Sequence, residues 1–410
     1  FSSTTSATGI ATTSTTTTTT ALPMMSDSPK EDKVFAPSQF IVDENTGKKY
    51  RLAAAAAVWN SENHLLVGER LHIANAWQAP QGGVDAAWEE NNHQEETCLQ
   101  AASRELYEEM GLQVGKHVVP LSEITTEKQD LSLGVRYETQ GTSNWLTKAG
   151  FAGQELHWVH FRCIDGRGDA DPNLMCDLSG LNGESPEFQQ VAWRPLPAVV
   201  EEMWPAKRGP YEALQLQQVS MEQEWQTQCQ ACAQHLAGRW SRDNTQCRGV
   251  VEGLVARGTM TLEQAQEAAS KPYIQEWKFN DNNKSNDWTV ITYNDDGVTP
   301  RRTLVYPWGE WEETYQGESM LFGASDSSVV ATLKRRTFYA PEPVDDESNT
   351  TVAVAHVTIS ETPKGDTEES RRYRQGDTFI LKRTFWPKDN PENGVVSKEV
   401  FVKQKPYFEI

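Results

Sequence analysis

The octapeptide RELYEEMG, Arg104 to Gly111, concentrates acidic chemistry. Glu105, Glu108 and Glu109 fall at i, i+3 and i+4, offsets that share one face of a helix. Like charges at that spacing repel, so the face is either a solvated acidic surface or a seat for a cation. Hard divalent ions such as Mg2+ or Mn2+ take oxygen ligands and bridge to substrate phosphates. An ion of that kind neutralises phosphate oxygens and lowers the pKa of a bound water. With such an ion the face would be a metal platform rather than a solvated surface.

The neighbouring segments are those that would carry and present this helix. YRLAAAAAVW and HLLVGER read as two strands joined by the polar turn NSEN, although the alanine run also suits a helix. A glycine turn, PQGG, precedes the acidic segment, and Gly111 stands where a helix C′ glycine belongs. HWVHFRCI and QQVAWRPL are strand-like, while VVEEMW and residues 209–237 are helix-like. Cys229 and Cys232, one turn apart in that long helix, read as packed small residues, because no second pair supplies metal ligands.

The totals bound the rest. A chain of 410 residues suggests two domains. Its 38 basic and 58 acidic side chains give a net charge of −20, which argues against a nonspecific phosphate-backbone binder, and no DNA partner is expected. No run of about 18 apolar residues is present, so no membrane span is expected. Six cysteines make no disulfide framework.

The second half of the acidic stretch resembles a known family. RELYEEMGL supplies Arg104, Glu105, Leu106, Glu108, Glu109, Gly111 and Leu112 at every fixed position of the later half of the Nudix box, G-x5-E-x7-R-E-U-x-E-E-x-G-U with U apolar. Residues 39–237 therefore resemble a Nudix hydrolase, which implies an α/β/α sandwich with a mixed sheet. The earlier half departs from the pattern. Gly83 and Glu89 satisfy G-x5-E but leave fourteen residues before Arg104; Glu96 stands at the right distance from Arg104 but has twelve residues between it and Gly83. Seven extra residues enter the loop, and either glutamate suits the bracing position.

Further stretches are similar to one branch of the family, the enzymes that cleave dinucleoside polyphosphates in plants and remove 5′ pyrophosphate from RNA in bacteria. They are KKYR, AWQAPQGGVD, GQELHWVHF, SPEFQQVAW and AKRGPYEAL, in that order. The resemblance implies that Glu105, Glu108 and Glu109 hold Mg2+ or Mn2+, with the Gly82 carbonyl as a further ligand. Glu187 would be another ligand or the general base. Lys207, Arg208, Tyr211 and, less directly, Arg51 would meet the polyphosphate. The family's stacking aromatic is Ala206 here, so base recognition is either weaker or uses another ring, such as Trp204. The implied activity is asymmetric cleavage of diadenosine tetraphosphate to ATP and AMP. RNA 5′ pyrophosphate and guanosine tetraphosphate are alternative substrates, and a catalytically weak nucleotide sensor is the alternative function.

Beyond residue 238 the composition changes to short β-branched and aromatic runs, among them DWTVITYN, VVATLKRRTFYA, TVAVAHVTIS and DTFILKRTFW. Turn signals separate them, which predicts a mostly antiparallel barrel or sandwich over 238–410 and an α+β chain as a whole. GRW, Gly238 to Trp240, faintly resembles the G-x-W that opens lipocalin-like barrels, and is also what an ordinary strand edge looks like. His356 reads as a core or solvated histidine. Fifteen of the first twenty residues are Ser or Thr, and the first acid is Asp27. Residues 1–38 thus read as a disordered tail. With its leading Phe the tail resembles algal plastid-targeting presequences, with a cytoplasmic protein as the alternative.

Overall fold

The structure, a computed structural model, describes residues 37–87, 94–123, 134–138, 145–258, 260–279, 287–316, 330–346 and 349–404. The Ser/Thr-rich stretch before residue 37 and Glu89 lie outside the described residues. The first sheet contains β1 (Phe40–Val42), β2 (Lys49–Trp59), β3 (Leu65–Arg70), β4 (Trp77–Gln78), β5 (Gln81–Gly83), β6 (Val118–Pro120), β7 (Val135–Glu138), β8 (Gly153–Cys163) and β9 (Phe188–Arg194). It is mixed: β2 runs parallel to β8, and the remaining pairings are antiparallel.

The alanine run is a strand, and its packing says why. Ala53, Ala55, Ala57 and Trp59 face one apolar cluster; Ala54, Ala56 and Val58 face the other. A period of two serves two covered faces at once, and small side chains let helices approach closely on both sides. One cover is α1 (Cys98–Met110), which packs Ala101, Ala102, Leu106 and Met110 onto the sheet. After the short helices α2 (Trp145–Lys148), α3 (Gly166–Ala170) and α4 (Leu196–Glu202), the other cover is α5 (Pro205–Leu236). Its Tyr211, Leu214, Met221, Trp225, Cys232 and Leu236 form an apolar stripe at helical spacing. Cys229 and Cys232 belong to this packing, and burial pushes the Cys229 thiol up to about 12.

The second sheet is a single curled antiparallel one. It contains β10 (Gly238–Arg242), β11 (Ile274–Phe279), β12 (Trp288–Tyr293), β13 (Pro300–Tyr306), β14 (Gly309–Gln316), β15 (Val330–Asp346), β16 (Asn349–Glu361), β17 (Thr367–Gln375), β18 (Thr378–Trp386) and β19 (Val395–Lys403). Two helices, α6 (Val250–Ala256) and α7 (Leu262–Ser270), lie between β10 and β11 in the chain. The strand order runs β13-β12-β11-β10-β19-β18-β17-β16-β15-β14, a half-barrel. Its two edge strands meet through side chains: Arg302 reaches Glu313, and Tyr306 sets its ring edge-on to Trp311 at 5.7 Å. His356 is a core residue, 1% exposed, among the rings of Trp277, Trp288, Tyr306 and Tyr339.

One apolar cluster runs from the odd alanines of β2 through α5 to Trp240, Trp277, Trp288 and Phe379 of the second sheet. Polar contacts join the two sheets elsewhere. Arg336 of β15 binds the buried carboxylate of Asp169 at 2.7 Å and the Ser61 hydroxyl at 2.9 Å. Arg371 of β17 donates to the Ile164 carbonyl.

Candidate active site

Local rules place α1. Thr97 caps its first turn, with the Gln100 side chain returning the bond in a capping box. Gly111 ends it in the left-handed conformation, φ 70°, which admits glycine without strain. With Leu106 and Met110 turned to the sheet, Glu105, Glu108 and Glu109 fall on the side that meets β5. There is no room for a side chain at that meeting. A Cβ on Gly82 would stand 1.8 Å from Glu105 Oε1, and one on Gly83 would stand 1.8 Å from Arg51 Nη2.

Arg104 is the hub of this face. Its Nε and Nη2 donate to Glu96 at 2.9 and 3.0 Å, its Nη1 to Glu105 at 2.7 Å and Glu108 at 3.0 Å, and its Nη2 to the Gly83 carbonyl at 2.8 Å. Glu96 also accepts the Asp85 backbone N–H at 3.1 Å. Of the two candidates for the bracing glutamate, Glu96 makes these bonds. The extra residues therefore lie in the loop between β5 and α1, and the carboxylate-bearing turns of the helix are regular.

Burial pushes the Glu105 carboxyl up to about 7, against the pull of Arg104. Burial, then the charges of Glu187 and Glu105, hold Glu109 well above the carboxylate range. Glu109 Oε2 is buried without a hydrogen-bond partner. Glu187 arrives from the loop before β9 and accepts from Arg70 Nη1 at 2.7 Å. Asn182 from the same loop donates to Glu108 at 3.3 Å.

These residues suit a hard divalent cation by their chemistry: clustered carboxylates, an orphaned buried oxygen, and a glycine cradle. Among the described residues no three acids converge on one point as they stand; Arg104 holds Glu105 and Glu108, and Arg70 holds Glu187. A cation would replace those arginine contacts.

The expected substrate residues separate into two groups. Lys207 belongs to the site: it donates to Gln78 Oε1 at 3.0 Å, and burial, then Arg70, press its pKa down to about 8. It lines a cleft of about 200 Å3 with Arg70, Trp77, Gln78, Met203 and Trp204. Trp204, about half exposed, is an aromatic platform beside the position of Ala206. Arg51 lies against Gly83, with its guanidinium over the Trp145 ring at 4.9 Å and its charge felt by Glu105. Tyr211 and Arg208 differ from the expectation. Tyr211 is fully buried, its hydroxyl accepts the Ala79 N–H at 2.8 Å, and its ring packs edge-on to Trp158. It positions the strand of Gln78, and as it stands its hydroxyl is turned to that backbone and closed to solvent. Arg208 donates to the carbonyls of Glu201 and Met203 at the end of α4.

Arg70, Trp77, Gln78 and Asn182 are site residues that the sequence reading did not single out. Arg70 and Glu187 are 117 residues apart in the chain, and no local pattern links them.

The family model of the NUDIX domain matches residues 49–214. An RNA pyrophosphohydrolase of Roseobacter denitrificans is 32% identical over 167 residues, 40% of this chain and 89% of that protein. One of Mesorhizobium japonicum is 30% identical over 175 residues, 40% of this chain and 86% of that protein. The chain belongs to the Nudix hydrolases. As a Nudix hydrolase it acts on pyrophosphate bonds, and the box helix and Gly83 are the parts of the fold that the box pattern specifies. A fatty-acid-binding protein from Drosophila melanogaster brain is 13% identical over 41% of this chain and 99% of its own length, with a TM-score of 0.26, too low to carry weight.

Proposed function

We propose that this Nudix hydrolase cleaves a phosphoanhydride bond of a nucleotide in a divalent-metal-dependent reaction, with diadenosine tetraphosphate as the substrate and ATP and AMP as products. The observation that carries the reading is the joining of two sites by Arg70. The same guanidinium pairs with Glu187 in the carboxylate cluster and lines the aromatic cleft with Lys207. Phosphates at the cluster and a base in the cleft then belong to one molecule.

Glu105, Glu108, Glu109 and Glu187 would hold Mg2+ or Mn2+, which when bound supplies charge neutralisation and a more acidic water. Glu187, freed from Arg70, takes the proton of the attacking water on its carboxylate. The phosphorus–oxygen bond to the departing ATP breaks as the new one forms. Arg70 and Lys207 bind the phosphate chain by charge-assisted hydrogen bonds. The Trp204 ring gives the adenine a stacking surface, as π-faces do for any base. The net charge of −20 favours a small dinucleotide over a long polyanion.

A second reading, removal of pyrophosphate from RNA 5′ ends, draws support from the names of the relatives above. Both readings are tested by product analysis with Mg2+ over diadenosine tetraphosphate and 5′-triphosphorylated RNA. ATP and AMP in equal amounts support the first, and pyrophosphate from RNA at the higher kcat/KM supports the second. Equal rates for wild type and Glu108→Gln on every substrate would exclude both.

A further inference from the structure

The concave side of the second sheet encloses a cavity of about 70 Å3, apart from the hydrolase site. That is room for several waters or one oxyanion head group. Four arginines, Arg302, Arg335, Arg372 and Arg383, line it with one carboxylate, Glu368. Glu313 stands behind Arg302 and Arg335, and Glu399 behind Arg383 and Arg242. Glu368 is itself gripped by Arg257 at 2.6 Å. Cations therefore exceed carboxylates around the cavity.

Arg372 has no carboxylate within ion-pair reach among the described residues. It is 4% exposed and donates to Thr358 Oγ1 at 3.0 Å and the Ser370 carbonyl at 3.3 Å. Its guanidinium lies over the rings of Trp277 and Tyr306, at 5.3 and 5.1 Å. Ring faces attract a cation but do not neutralise it, and a buried charge without a counter-ion is destabilising. Two more donors share the cavity wall. Gln275 Nε2 and Trp277 Nε1 are buried, each residue 2% exposed, and neither has an acceptor among the described residues. Buried donors are almost always satisfied. Here three donor groups on β11 and β17 line one small space; among the described residues two have no acceptor and one has no carboxylate in ion-pair reach. Val290, Leu304 and Leu381 give the wall an apolar part beside Thr292 and Ser370, and Leu304 and Tyr306 are partly exposed at the edge strand β13.

We propose that this cavity binds an amphiphilic organic anion: an oxyanion head group, carboxylate or phosphate, held by Arg372 with the Gln275 and Trp277 N–H groups, on an apolar body that leaves along Leu304 at the β13 edge. The site is independent of the hydrolase reading, since none of its residues belongs to the carboxylate cluster or its cleft.

Calorimetric titration of the full chain with decanoate, decyl phosphate, decanol and inorganic phosphate tests it. One decanoate or decyl phosphate is expected to bind per chain, at least roughly tenfold more tightly than decanol, as a charge-assisted hydrogen bond requires. The better of the two amphiphiles identifies the head group. Arg372→Met is expected to weaken that binding about tenfold, and Trp277→Phe, which keeps a ring and drops the N–H, about two- to tenfold. Both variants should keep wild-type circular dichroism and nucleotide turnover. Decanol binding as tightly as the anions, binding of inorganic phosphate without either amphiphile, or no binding of either amphiphile overturns the proposal. So does unchanged affinity in the Trp277→Phe protein, which decides the matter even if Arg372→Met does not fold.

Discussion

Glu96 takes Arg104 with both carboxylate oxygens, at 2.9 and 3.0 Å, and ties the loop after β5 to the box helix. This grip also sets how Arg104 is shared. With Nε and one Nη2 bond given to Glu96, only Nη1 is left for the carboxylates Glu105 and Glu108.

Replacing Glu96 should therefore act on the cation seat. In Glu96→Gln the Arg104 guanidinium turns more strongly to Glu105 and Glu108 and competes with the metal. The expected outcome is a loss of about 1.5–3 kcal/mol of stability, as for a hydrogen bond to a charged group, and a Mg2+ requirement shifted to about tenfold higher concentration. With the brace at Glu96, Glu89→Gln should stay within about twofold of wild type in both respects, as a substitution outside the brace does. Thermal melts and Mg2+ titrations of turnover check the pair; a larger effect from Glu89 would move the brace there.

Glu109 is held against its own preference. Its carboxylate is buried beside Glu105 and Glu187 with one oxygen unpartnered. Replacing that carboxyl by the neutral amide of Glu109→Gln should raise the stability of the metal-free protein by about 1 kcal/mol at pH 8, because the wild type must either bury a charge or take up a proton there on folding. The same change should lower kcat by about a hundredfold, the scale of lost electrostatic stabilisation. Melts in EDTA with parallel kinetics in Mg2+ measure both. A variant less stable than wild type in EDTA would mean that Glu109 is held by partners and not by its function.

The cleft makes a separable prediction. Trp204 is about half exposed and lines the cleft with Lys207, so its ring serves binding without touching the carboxylates. Trp204→Ala should raise KM about tenfold, within the 1–3 kcal/mol of a base stacked on a ring, with kcat unchanged. Trp204→Phe should restore most of the loss. An equal fall in kcat for both variants would show a packing role instead.

These residues differ in how far sequence could disclose them. The box helix was legible because its chemistry lies within nine residues and its periodicity, cap and C′ glycine agree. Glu96 and Glu89 fit the spacing equally, and the hydrogen bonds of Glu96 to Arg104 are a tertiary fact that spacing does not contain. The Arg70–Glu187 pair joins strand β3 to a loop far along the chain, so no window contains it. The strand β17, TEESRRYRQ, shows the reverse difficulty. It has no apolar alternation, yet Glu368, Glu369, Arg371 and Arg372 are all buried. Their partners, Arg257, Glu342 and the Ile164 carbonyl, come from distant segments. Polar burial of that kind is a tertiary fact, and hydrophobic periodicity cannot report it.

His160 on β8 gives the clearest pH effect. Trp59 Nε1 donates to its Nδ1 at 3.2 Å, while its Nε2 meets Gln217 Oε1 at 3.2 Å. The neutral ring with hydrogen on Nε2 satisfies both bonds, whereas a proton on Nδ1 would oppose the Trp59 N–H. Burial accordingly presses its pKa from 6.5 down to about 4. Between those values the unfolded chain binds a proton that the folded one refuses, so stability rises with pH across that window and is lost on acidification below 6.5. The full difference corresponds to about 3 kcal/mol at pH 4. Urea unfolding at pH 7 and pH 4.5 should show this loss in wild type, beyond that of a His160→Gln variant, which cannot be protonated there. If the variant and wild type lose the same stability between those pH values, His160 is not the group that titrates.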